Sequence, residues 1–151
     1  MSFAFILVEM VKINFFNGDI NFRLYHKNKI RKWIFFLLHS ENVAIPVNID
    51  FIFCSDQFLL EINQAYLNHN TLTDIISFDL SENNNSIEGE VYISIDRVRE
   101  NHIIFGSSLQ NELYRVIIHG VLHLIGYNDK SRNEIEIMRE LENKYLSIME
   151  I

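Results

Sequence analysis

The chain has 151 residues, 48% of them apolar and 22% charged, which is one domain's length with enough apolar surface to bury a core without staples. Thirteen Lys and Arg against twenty Asp and Glu give a net charge of -7. Such an acidic chain is a poor candidate for indiscriminate nucleic-acid binding, and any RNA or DNA partner would have to be met by a local basic patch. The single cysteine, Cys54, excludes an internal disulfide and a Cys-rich zinc ribbon and fits a cytoplasmic protein, while five Gly and one Pro exclude a Pro/Gly-rich linker.

No segment is apolar for long enough to span a membrane. The opening MSFAFILVEM lacks a basic start and a cleavage site, and Glu9 interrupts it, so it reads as a first strand; Met10 is an alternative start. Val11 to Phe16 reads as a strand. Tyr25 to Ser40 is predicted to be an amphipathic helix, with Ile30, Trp33, Ile34, Leu37 and Leu38 inside and Lys27, Lys29, Arg31 and Lys32 outside. After Pro46, Val47 to Phe53 alternates like a strand. Asp56 is a candidate N-cap for a helix with Phe58, Leu59, Ile62, Ala65 and Tyr66 on one side. Asp74 to Leu80 and Glu90 to Ile95 read as a hairpin around the polar loop Ser81 to Ser86. Asp96 opens a short helix, a longer one covers about Ser108 to Ile125 and stops at Gly126, and a last one covers about Ser131 to Met149. In that last helix Ile135, Met138, Leu141, Tyr145 and Leu146 are expected inside. These elements, residues 1–151 as one domain, predict an α/β (α+β) fold with a small mixed sheet and helices packed on it.

The helix from 108 to 125 carries the chemistry. Ser108, Glu112, Arg115, His119 and His123 fall on one narrow stripe of an otherwise apolar helix. His119 and His123 stand one turn apart, so their rings can converge on a divalent metal. Gly120 between them costs about 1 kcal/mol in helix propensity, which something such as close backbone approach would have to offset. Gly126 can reverse the chain and bring Asp129 back. The pattern H-x-x-x-H-x-x-G-x-x-D offers two nitrogens and a carboxylate with a fourth position open, the arrangement of a catalytic zinc. The competing reading is a pair of core histidines followed by an ordinary turn. A metalloprotease would place a Glu directly after the first His, where this chain has Gly120.

His119-Gly-Val-Leu-His-Leu-Ile-Gly-Tyr-Asn-Asp129 resembles HGxLHLxGYDH, the signature of the YbeY family of bacterial rRNA maturation factors. Asn63, Tyr66 and Thr73-Asp-Ile-Ile-Ser-Phe78 resemble that family's second block, and Gly89-Glu-Val-Tyr-Ile-Ser94 its GDI.IS strand. The resemblance implies a four-stranded mixed sheet with the metal ligands on a central helix, distantly like metalloproteases. It implies one Zn2+ per chain on His119, His123 and Asp129. It implies a cytoplasmic, single-strand-specific endoribonuclease of 16S ribosomal RNA maturation and ribosome quality control, with ribosomal proteins or a ribosome-associated GTPase as further partners.

Three positions depart from the pattern: Asp129 replaces His, Asn128 replaces Asp, and Leu67 replaces the Arg that follows the tyrosine. A carboxylate is a competent zinc ligand, but its charge should make bound water less acidic. Arg115 is the candidate to replace the missing cation; its alternative is an ion pair with Glu112. Glu90 is a weak candidate proton acceptor, and a solvated strand charge is its alternative. Asp74 and Ser77 are candidates to line the cleft. Lys29, Arg31 and Lys32, with Lys27, Arg97 and Arg99, are candidates to hold an RNA backbone or form a solvated face. Two other functions compete: a non-catalytic ribosome-assembly factor with a structural metal, and a metal-dependent hydrolase of another substrate such as a peptide.

Overall fold

The computed structural model describes residues 9–67 and 73–149. Among them lie β1 (Val11–Asn17), α1 (Lys27–Ser40), β2 (Val47–Cys54), α2 (Asp56–Leu67), β3 (Ile75–Asp79), β4 (Ile87–Ser94), α3 (Ile95–Phe105), α4 (Leu109–Leu124) and α5 (Arg132–Ile148). The opening segment lies outside the described residues, except that Glu9 and Met10 are helical, not extended.

The four strands form one mixed sheet in the order β1-β2-β4-β3. β1, β2 and β4 run parallel, and β3 closes the edge as the antiparallel hairpin partner of β4. This is the mixed four-stranded sheet that the sequence predicts. Register places Ile49 beside Gly89, Phe51 beside Val91 and Phe53 beside Ile93, so one face is a continuous apolar surface. α1, α4 and α5 contribute the other half of this core through Ile34, Leu37, Ile117, Val121 and Tyr145. A smaller cluster of Cys54, Leu59 and Ile76 lies apart from it, with α2's Phe58 and Ile62 packed against it.

Helix ends follow capping chemistry. The Ser94, Ser108 and Ser131 hydroxyls cap α3, α4 and α5, and Glu134 closes a capping box on Ser131. Ser55, not Asp56, caps α2: its Oγ accepts from the Phe58 N–H at 3.1 Å. Asp56 instead takes Arg97 at 2.9 Å and Ser94 at 2.7 Å. α1 starts two residues later than predicted because His26 takes a left-handed φ of 63°. On α2, Ala65 and Tyr66 face outward and Asn63 turns inward instead.

α4 is buried on nearly all sides, and Gly120 is where it meets the sheet. A Cβ there would lie 2.8 Å from Val91 Cγ1 and 3.1 Å from Ile75 Cδ1. The helix comes this close to β3 and β4 because position 120 carries no side chain. Gly120→Ala should therefore lose stability despite its better helix propensity. Overpacking costs about 1–3 kcal/mol against a gain of about 1 kcal/mol. Urea denaturation should show a net loss of roughly 1 kcal/mol; a gain would refute the close-approach account.

Candidate metal centre and its cleft

The site is built at the C-terminal end of α4. His119 and His123 project from successive turns with ring centroids 4.6 Å apart. The helix then ends: the Tyr127 N–H bonds back to the Leu122 carbonyl at 3.0 Å, and Gly126 takes a φ of 115°. The reversal returns Asp129 over the last turn, and the capped start of α5 follows two residues later. Tyr127 tethers the loop by donating its hydroxyl to Glu41 Oε1 at 2.5 Å.

Asp129 Oδ2 lies 3.4 Å from His119 Nε2 and 3.4 Å from His123 Nε2. These separations are long for charge-assisted hydrogen bonds, which run about 2.7–2.9 Å. They match a different geometry. A tetrahedral ion with ligands about 2.1 Å away sets neighbouring ligand atoms roughly 3.4 Å apart. One ligand atom from each of the three residues lies within 4.8 Å of the others, a group that could hold a metal ion.

Behind the cluster stands Glu142 of α5, which sequence reasoning missed. It is 4% exposed. Its Oε2 accepts from His119 Nδ1 at 2.7 Å and its Oε1 accepts from Arg115 Nη1 at 2.8 Å. Arg115 also donates to Asn143 at 2.9 Å. A proton on Nδ1 leaves the Nε2 lone pair of His119 aimed at the cluster, which is how outer carboxylates fix metal-binding imidazoles. Burial opposes charge on His119, but the hydrogen bond and charge of Glu142, with Asp129 and Asp74 beyond, hold its pKa above the ordinary imidazole value. Burial likewise opposes charge on Glu142, yet His119 and Arg115 hold its carboxyl below the usual range. A signal for Glu142 was present: it falls on the same stripe as Met138, Tyr145 and Met149, all buried. Leu141 and Leu146 are less buried, and Ile135 is 49% exposed.

The other predicted residues divide. Asp74 and Ser77 line the cleft beside His119, His123 and Asp129. Ser77 Oγ is buried there with no hydrogen-bond partner among the described residues, and burial raises the Asp74 pKa. Arg115 is not paired with Glu112 but with Glu142 and Asn143. Glu90 is not near the cluster: it alternates with Gly89 and Val91, which face α4, and so points to the other side of the sheet, where Tyr92 Oη donates to it. Arg31 is fixed to β1, at the sheet edge away from β3, by a bond from Nε to the Ile13 carbonyl at 2.9 Å. Lys27, Lys29 and Lys32 are exposed on the same helix, and none of them lines the cleft around the histidines. Arg99 is exposed, and Arg97 lines the cleft arm beside His119 while paired with Asp56 and Glu100. Leu67 lines the same cleft as the two imidazoles and is partly exposed. Arg139, which the sequence did not single out, lines the cleft beside His119; its contact with Glu142 is 3.4 Å and its side chain is 60% exposed.

A mixed four-stranded sheet carrying two imidazoles on its central buried helix, with a carboxylate returned by the next turn, defines a class of small α+β proteins with a metal-capable cleft. Residues 12–150 match the family model described as Endoribonuclease YbeY. Relatives named Endoribonuclease YbeY include one from Amoebophilus asiaticus, 48% identical over 89% of this chain and 90% of its own length. Another from Cytophaga hutchinsonii is 43% identical over 90% and 94%, and one from Bacteroides thetaiotaomicron is 50% identical over 81% and 88%. A Thermotoga maritima protein solved in solution superposes with a TM-score of 0.59 at 25% identity, covering 91% of this chain and 87% of that one. The chain belongs to the endoribonuclease YbeY family.

Removing Glu142 leaves His119 and Arg115 without their shared acceptor. Glu142→Ala should cost about 2 kcal/mol, short of the roughly 3–5 kcal/mol of a fully buried pair because Arg115 keeps part of its side chain in water. The folded pKa of Glu142 is lowered, so its contribution is complete above the ordinary glutamate value and lost as pH falls through the lowered one. Denaturation of wild type and Glu142→Ala across this acid range should converge; a gap that stays constant would show that the charge of Glu142 does not matter.

Proposed function

We propose that the chain, acting as one domain, is a metal-dependent endoribonuclease in which His119, His123 and Asp129 hold one Zn2+. Family membership supports an endoribonuclease role and hence an RNA substrate. The observation that carries the metal assignment is the pair of 3.4 Å separations from Asp129 to the two imidazoles, backed by Glu142 on the far nitrogen of His119. Two nitrogens and one carboxylate oxygen, with solvent access at one side, suit zinc with an open position.

Held by His119, His123 and Asp129, a metal would supply polarisation of a phosphoryl oxygen and a more acidic water. The chain's own groups bind and orient. Ser77 Oγ, buried and unpartnered beside the cluster, is the donor for a phosphate oxygen. Arg139 and Lys130 line the two arms of the cleft and take over the role of the cation replaced by Leu67. Arg115, committed to Glu142, positions His119 and leaves phosphate contact to these freer cations. A cleft lined by side chains on the open rim of β3 takes one strand at a time, in keeping with single-stranded substrate. The precursor of small-subunit ribosomal RNA in the cytoplasm is the proposed substrate; no helix among the described residues is long and apolar enough to cross a membrane.

Metal analysis by mass spectrometry should find about one zinc per wild-type chain after zinc is supplied. Asp129→Ala should lose or loosen it while its circular dichroism stays native, and should not cut single-stranded RNA. Glu142→Gln should bind zinc roughly 10–100-fold more weakly. Occupancy at limiting zinc should fall as pH drops from about 8 towards 6, because the raised His119 pKa lets protons compete early. Full zinc in Asp129→Ala would remove Asp129 from the ligand set. Zinc-loaded wild type that folds but never cuts RNA would favour the assembly-factor reading, in which the metal is structural.

A further inference from the structure

The cleft continues past His119 and Asp74 into a second arm, about 470 Å3 in volume, between the end of α3 and the start of α4. Two features of this arm are unexplained by metal or phosphate. Glu112 is 4% exposed and lines the arm, yet among the described residues no hydrogen bond or ion pair answers its carboxylate. Burial and the nearby Asp74 carboxylate push its pKa up, against the pull of Arg115 and Arg139. Phe105, on the same arm, exposes 66% of its surface although it is a large aromatic ring.

A cleft shaped only for phosphate has no use for a buried unpaired anion, which would repel it. An unanswered carboxylate is a standing acceptor for donors that a ligand brings, and its two oxygens suit two parallel donors. An exposed aromatic ring on the rim is a platform for a planar group. Nucleobases are planar and carry donors on their edges. Guanine presents N1–H and N2–H side by side on its Watson–Crick edge, while adenine and cytosine offer an amino group beside an acceptor and uracil one imino group between acceptors. Arg139 stands in the same arm, 3.4 Å from Glu142 but with 60% of its side chain exposed towards an adjoining phosphate.

Resting on the endoribonuclease reading, we propose that this arm is a nucleobase pocket in which Phe105 stacks on the base and Glu112 reads a guanine edge, so that the enzyme prefers a guanosine next to the bond it cuts. The geometry makes Glu112 a specificity residue and Phe105 a base platform.

The test is equilibrium binding of short oligouridylates carrying one central G, A, C or U, followed by fluorescence anisotropy with zinc-supplied protein, with cleavage of the same strands assayed in parallel. Wild type should bind the G-containing strand about tenfold more tightly than the others. Glu112→Gln keeps the shape but loses the second acceptor, and the preference should shrink to about twofold or less. Phe105→Ala should weaken all four strands about tenfold, and Phe105→Trp should restore them; both act on an exposed side chain, so folding is not at stake. Equal binding of the four strands by wild type, or a preference that survives Glu112→Gln, would overturn the pocket. Selective binding without cleavage would uphold the pocket and overturn the nuclease reading; cleavage without selectivity would do the reverse.

Discussion

A carboxylate inside a core is tolerated only when its charge is answered by donors, and Glu142 is answered on both oxygens. That requirement ties three elements together. α5 must bring Glu142 against the middle of α4, Arg115 must reach across to it, and His119 must turn its Nδ1 inward. Once those bonds form, the remaining nitrogen of His119 has one direction left, towards His123 and Asp129. The orientation of the metal-capable cluster is thus a consequence of how a buried charge is satisfied, not of the two-histidine spacing alone.

The sheet supplies the second constraint. α4 can carry its histidines at the lip of the cleft only because Gly120 lets it lie against Val91 and Ile75. β3 then borders the cleft as an edge strand, and its residues Ser77 and Asp79 line it together with Asp74 just before the strand. An edge strand next to a helix end gives an open groove, suited to an extended chain of nucleotides and not to an enclosed small molecule. Asp129, where the family signature has His, keeps the donor count and adds negative charge beside the two imidazoles. A metal held there would activate water less strongly than one on three imidazoles.

Much of this was legible in the sequence because it rests on local patterns. Alternation at Val47 to Phe53 and the apolar stripe of α1 each report a nearby physical demand, and the structure meets them within a few residues. The stripe of α4 gave His119 and His123 for the same reason, and Gly126 with Asp129 could be read from turn chemistry. What was not legible depends on contacts between elements far apart in the chain. Arg115 has Glu112 within one turn, but its true partner is Glu142, 27 residues away. Glu90 looked accessible as a strand carboxylate, yet strand alternation against Val91 puts it on the wrong face; the registry that decides this comes from Gly89 and Leu124 packing together. The basic face of α1 looked like an RNA surface, whereas the cations that line the cleft, Arg97, Arg115, Lys130 and Arg139, come from separate parts of the chain.

The central claim is that two imidazoles and one carboxylate, set by Glu142, make the metal's protein ligands. X-ray absorption at the zinc edge of the loaded protein tests it most directly. The account predicts a first shell of nitrogen and oxygen at about 2.0–2.2 Å with outer-shell scattering from two imidazoles, and a weakened imidazole signal in Glu142→Gln. A sulfur ligand from Cys54, a third imidazole, or an all-oxygen shell with no imidazole scattering would contradict it.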